Sequence, residues 1–142
     1  MYKRQEYAAP VWDPHLTKDT NKLESVQKFA LKMCLKQWDL GYQDLLDLSQ
    51  FPTLENRRLY LKLCTLYKII HGYFYFPTNV FVPQVSRHCH SLPLIHEPRA
   101  HTNAFQSSFV PSTVSVWNHL PHEALTAHSI TCLLYTSDAA DE

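Results

Sequence analysis

The stretch from Pro52 to Gly72, PTLENRRLYLKLCTLYKIIHG, decides the fold class. Leu59, Leu63, Leu66 and Ile70 recur at steps of three and four, the repeat that gathers side chains on one side of an α-helix. Tyr60 and Tyr67 widen that stripe. Pro52 and Thr53 suit a helix start, and Gly72 stands where a helix end needs a residue at positive φ. A long amphipathic helix bounded at both ends therefore predicts a mainly α chain.

The same period runs upstream. Glu6 to Trp12 (EYAAPVW) is apolar and aromatic, broken by Pro10, and reads as the end of an element entering from upstream. Asp13 and Pro14 form a turn that opens a helix, with Leu23, Val26, Ala30, Met33 and Cys34 at helical steps. Asn21 with Glu24 three places on makes a capping box for it, and Thr17 and Thr20 are alternative caps. Gly41 stops this region. Tyr42 to Leu48 is a short helix offering Leu45, Leu46 and Leu48 for burial, with Asp44 and Asp47 facing solvent.

Beyond Gly72 the pattern changes: Pro77, Pro83, Pro93 and Pro98 punctuate aromatics and histidines with no sustained period, so this half is expected to be mostly irregular. Phe105 to Val110 fits a short strand. Pro111 fits the first turn of a helix over Ser112–Asn118 that puts Val114 and Trp117 on one face. Pro121 ends it, and Ser129 caps a further helix.

With 142 residues, 45% hydrophobic and 13% aromatic, the chain suffices for about one modest core. Thirteen basic residues balance thirteen acidic ones, so any nucleic-acid contact must come from a local patch. Cys34, Cys64, Cys89 and Cys132 lack paired spacing, which points to reduced thiols and an intracellular, cytoplasmic and nuclear setting. No apolar run approaches the ~20 residues of a membrane span.

The two ends have their own reading. CLLYTSDAADE (132–142) can be coded by DNA resembling the adapter of transposase-based sequencing libraries. MYKRQ (1–5) can be coded by GTG TAT AAG AGA CAG, whose reverse complement CTGTCTCTTATACAC opens the same adapter. Residues 1–5 and 132–142 are thus expected to be adapter-encoded, leaving 6–72 as a helical segment and 73–131 as a loop-rich one, an incomplete domain open at both ends.

Several clusters of side chains could carry chemistry. On the first long helix Lys18, Lys22, Lys28, Lys32 and Lys36 fall within an arc of about 120°, and Arg57, Arg58, Lys62 and Lys68 lie opposite the leucines of the third. Cations along a helix can neutralise successive phosphates; a solvated face with intrahelical pairs such as Glu24 with Lys28 is the plain alternative. His88, Cys89, His90, His96 and His101 lack the paired spacing of a zinc site, and no metal ligands are assigned. Ser107, Ser108 and Ser112 have no nucleophile elbow, and two glycines cannot build a phosphate loop. Trp12, Trp38, Trp117 and Tyr73 to Phe76 are candidates for base stacking or for core.

Four strings, EYAAPVWDPH (6–15), KLESVQKFALK (22–32), RRLYLKLCTLYKIIHG (57–72) and HTNAFQSSFVPSTVSVWNHLP (101–121), in this order and spacing, resemble the region after the palm in reverse transcriptases of jockey-like non-long-terminal-repeat retrotransposons. The resemblance spans essentially all of 6–130. It implies a parent polyprotein with an endonuclease and an RNA-directed DNA polymerase, whose palm aspartates hold Mg2+. The paired-aspartate palm motif has no matching position here, so the chain alone is expected to lack catalytic residues, cofactors and activity. It would be the thumb and the segment behind it, packing on the parent's palm and holding the RNA/DNA template-primer duplex. Lys22, Lys28 and Lys32 would then contact the duplex, while Leu23, Val26, Ala30 and Met33 pack. The alternative is a purely structural module with no nucleic-acid contact.

Overall fold

The computed structural model describes residues 8–75, 77, 81, 82 and 94–125. These are mainly helical: α1 (Ala9–Trp12), α2 (Thr17–Leu35), α3 (Tyr42–Ser49), α4 (Leu54–Ile70), α5 (Asn103–Gln106), α6 (Phe109–Asn118) and α7 (His122–Leu125). They fall into two compact units that divide between Leu61 and Lys62, inside α4, whereas the change in sequence character comes at Gly72. The adapter-like ends, Ser129 and the segment from Pro83 to Pro93 lie outside the described residues.

In the first unit α2 packs on α3 through Leu31, Leu45 and Leu46, with Leu35, Leu40 and Tyr42 against them. Burying such side chains contributes about 1.5–3 kcal/mol each. Asp44 begins α3 by accepting the Gly41 N–H at 3.2 Å, half of a capping box. A Cβ at Gly41 would come within 2.9 Å of that carboxylate oxygen.

Two expectations for α2 are corrected. The helix starts at Thr17 behind Leu16, with no side-chain cap, so none of Asn21, Thr17 and Thr20 is the N-cap. Its buried residue is Leu31, whereas Val26 and Met33 are 66% and 55% exposed and Ala30 and Cys34 also face outward. The helix carries two apolar stripes, and local periodicity cannot rank them. Polar contacts from the other side do: Glu24 and Gln27 reach the residues around the start of α4, and Gln27 Nε2 donates to the Pro52 carbonyl at 3.0 Å. They bring the Leu31 side inward. Leu48, expected to bury, is likewise exposed.

α4 has the expected boundaries. Thr53 Oγ1 accepts the Asn56 N–H at 3.2 Å. At the other end Tyr73 N–H reaches the Lys68 carbonyl at 2.8 Å and Gly72 N–H the Ile69 carbonyl at 3.1 Å, with Gly72 at φ 74°. This is a Schellman end, and it needs the left-handed residue that glycine supplies without strain.

Among the described residues of the second unit the apolar core comprises Leu63, Leu66 and Tyr67 of α4, Ile95, Val114 and Trp117 of α6, and Ala124 and Leu125 of α7, with Pro111 and Thr113 of α6 also buried. Val114 and Trp117 share the buried face of α6, and Pro111 sits in its first turn. The strand expected over Phe105–Val110 is replaced by α5 and the start of α6. Thr102 Oγ1 caps α5 by accepting the Phe105 N–H at 3.2 Å, and the serine hydroxyls of this turn satisfy carbonyls that a strand would have needed to pair.

Candidate nucleic-acid interface

The basic residues singled out in the sequence do not share one environment. Lys18 and Lys22 on α2 and Lys36 at its C-cap are exposed, and Lys22 Nζ lies 3.0 Å from Asp19 Oδ1 in a solvent-open pair. Such a pair holds its charge loosely, so Lys22 can exchange Asp19 for another anion at little cost. Lys28 is half-buried. Lys32 is half-buried too, and its ammonium donates to the Trp38 carbonyl, tying the loop after α2 back onto the helix.

Arg58 is corrected outright. It is 3% exposed, and its Nε donates to Asp13 Oδ1 at 2.6 Å, so it belongs to the interior of the first unit rather than to a phosphate-facing edge. Desolvating a guanidinium requires such a partner. Arg57 and Lys62 are half-buried and each is engaged within the protein, with the division between units falling between them. Lys68 lies over the Phe74 ring, 5.6 Å from its centroid. Of the basic residues singled out in the sequence, those exposed to a ligand are therefore Lys18, Lys22 and Lys36, along α2 and at its C-cap.

The aromatic candidates separate as well. Trp117 is core, at 1% exposure. Trp38 stands in the open and meets Phe29 edge to face, with ring centroids 6.4 Å apart and planes at 64°. Phe29 was not among the sequence candidates; its position between Lys22 and Lys36 at seven-residue steps was the available signal. Tyr73, Phe74 and Tyr75 are exposed, and Phe76 lies outside the described residues.

The remaining chemistry is structural. Ser112 Oγ donates to the Ser108 carbonyl at 2.7 Å and Ser108 Oγ to the Phe105 carbonyl at 2.6 Å. A groove of about 680 Å³ beside α6 brings His96, Glu97 and Arg99 to Ser112 and Ser115. With its hydroxyl committed to helix carbonyls, Ser112 is not presented to a base. Burial pushes the Cys64 thiol upward, with Lys68 partly opposing, which keeps it in the unreactive protonated form. Asp44 serves as a helix cap and Asp47 accepts from Gln43 Nε2 at 3.3 Å. Among the described residues no group of His, Cys, Asp and Glu is arranged to hold a metal ion. His88, Cys89 and His90 lie outside them.

No protein-family model, no curated protein and no solved structure matches the chain. Among the described residues no helix is long and apolar enough to cross a membrane.

Proposed function

We propose that this chain is a non-catalytic, thumb-like piece of a retrotransposon RNA-directed DNA polymerase that holds template-primer nucleic acid along the outer edge of α2. The observation that carries the reading is the exposure of Lys18 and Lys22 on one uninterrupted 19-residue helix and of Lys36 at the residue that caps its C-terminal end. Ammonium groups so arrayed displace counterions from a phosphate backbone without reading sequence. The family assignment rests on the four strings from Glu6 to Pro121. Such a segment acts inside the cell, on element RNA in the cytoplasm and at a chromosomal target in the nucleus, with the parent's palm supplying Mg2+ and the transfer chemistry.

Filter binding of a blunt duplex across a salt series tests this. Every phosphate that a lysine no longer neutralises lowers the slope of log affinity against log salt by about 0.9. Replacing Lys18, Lys22 and Lys36 together by Gln should therefore flatten it by about two to three. Primer extension in Mg2+ should be absent. Salt-insensitive binding or primer extension by the purified chain would overturn the proposal.

One observation favours a second reading, the packing module. Val26, Phe29 and Met33 form an exposed apolar strip on α2, the kind of surface that another part of a parent protein covers. Under that reading the lysine variant binds as the parent sequence does, and adding a palm domain in trans suppresses aggregation.

A further inference from the structure

The exposed side of α2 is neither purely basic nor purely apolar. Phe29 and Trp38 are 58% and 56% exposed, yet they touch one another edge to face rather than lying apart on the surface. The bond from the Lys32 ammonium to the Trp38 carbonyl holds the loop in that position one turn further along the helix. Lys22 and Lys36 lie seven residues before and after Phe29. At 100° and 1.5 Å per residue Lys22 sits on nearly the same side as Phe29, about 10 Å away, while Lys36 is the exposed residue that caps the other end of the helix, at φ 54°. Val26 and Met33, three residues before and four after Phe29, border the ring with aliphatic surface.

From this arrangement we infer that Phe29 and Trp38 form a stacking platform for unpaired bases of a single-stranded nucleic acid, whose flanking phosphates lie against Lys22 and Lys36. The inference rests on the nucleic-acid reading proposed for α2 and narrows it, because a closed duplex offers its bases' faces only at its ends. Charge selects the occupant. In a two-fold pairing of α2 with a second copy, the lysine edge of one helix would face the lysine edge of the other, so self-association is opposed. An anion is favoured, with Asp19 and Asp39 the acidic groups at the margin. An aromatic pair at the centre suits an anion that carries flat rings: base stacking on aromatic side chains is sequence-tolerant, and its loss costs roughly tenfold or more in affinity per base.

The test compares short oligothymidylate, which has little structure of its own, with a blunt duplex of equal length at fixed salt, using the full chain. Phe29→Ala and Trp38→Ala should each weaken oligothymidylate binding about tenfold. Duplex affinity and both salt slopes should stay unchanged, and Trp38→Phe should restore binding. Helicity by circular dichroism should be the same in every variant, since both rings are exposed. Oligothymidylate affinity that ignores Phe29 and Trp38, while duplex binding still depends on Lys18, Lys22 and Lys36, overturns the stacking platform alone. Its strip would then be left to an acidic amphipathic partner. An equal loss for both ligands also overturns it. Failure to bind either ligand at low salt sinks the platform and the proposed function together.

Discussion

The carboxylate of Glu24, midway along α2, accepts the backbone N–H of Glu55 at 2.9 Å and so caps α4 from another helix. Its second oxygen faces the Leu54 N–H at 3.4 Å and takes a short bond from the Tyr42 hydroxyl. With Thr53 serving Asn56, three of the four N–H groups that a helix start leaves unpaired are satisfied, and a negative charge meets the positive end of the helix dipole.

Removing that carboxylate should therefore loosen three helices at once. Glu24→Ala is expected to cost about 2 kcal/mol in denaturant unfolding, and Glu24→Gln, which keeps one acceptor, about half as much. Equal stability of the Ala variant and the parent sequence would show that Thr53 alone suffices.

Tyr42 gives a dependence on alkaline pH. Burial first, and then the hydrogen bond and charge of Glu24, push its hydroxyl well above the ordinary value of 10.0. The folded protein thus keeps a proton that the unfolded chain releases, so this contribution is complete below pH 10 and declines as pH rises past it. Thermal melts of the parent sequence should fall more steeply above that pH than those of Tyr42→Phe. Parallel curves would refute the coupling.

The ion pair between Arg58 and Asp13 is buried on one side and nearly so on the other, with side-chain exposures of 4% and 19%. Asp13→Ala leaves an unpaired guanidinium inside and should cost about 3–5 kcal/mol. Replacing Arg58 by Met in the same protein should recover much of that loss. A double variant no more stable than Asp13→Ala would mean that Asp13 acts mainly through its other contacts.

Asn118, the last residue of α6, pairs with the backbone of Ile95 as a neighbouring strand would: its Nδ2 donates to the Ile95 carbonyl at 2.8 Å and its Oδ1 accepts the Ile95 N–H at 3.1 Å. Asn118→Ala orphans a buried residue's backbone. About 2 kcal/mol should be lost, and amide exchange at Ile95 should accelerate before that of Val114 or Trp117. Unchanged exchange at Ile95 would show that other contacts hold the segment.

Thr113 is 1% exposed, and its hydroxyl has no hydrogen-bond partner among the described residues. Thr113→Val replaces that hydroxyl by a methyl group of similar size and should stabilise the protein by about 1 kcal/mol in thermal or denaturant unfolding. A destabilised variant would mean that the hydroxyl is satisfied.

Local chemistry alone determined a good part of this protein. α4 runs between the Thr53 cap and the Gly72 end because both signals act within a few residues of the helix they bound. The buried face of α6 follows from the spacing of Val114 and Trp117, and a mainly α chain from the repeated helical period. What the tertiary structure decided is which of two competing local solutions wins. α2 carries one apolar stripe through Leu31 and another through Val26 and Met33, of equal merit to the period. Glu24 and Gln27 chose between them by reaching residues 25 to 31 positions away. The same distance effect took Arg58 out of the basic face, since Asp13 lies 45 residues earlier, and brought Trp38 onto Phe29. Periodicity reports which side chains share a face. Only packing reports whether that face meets protein or water.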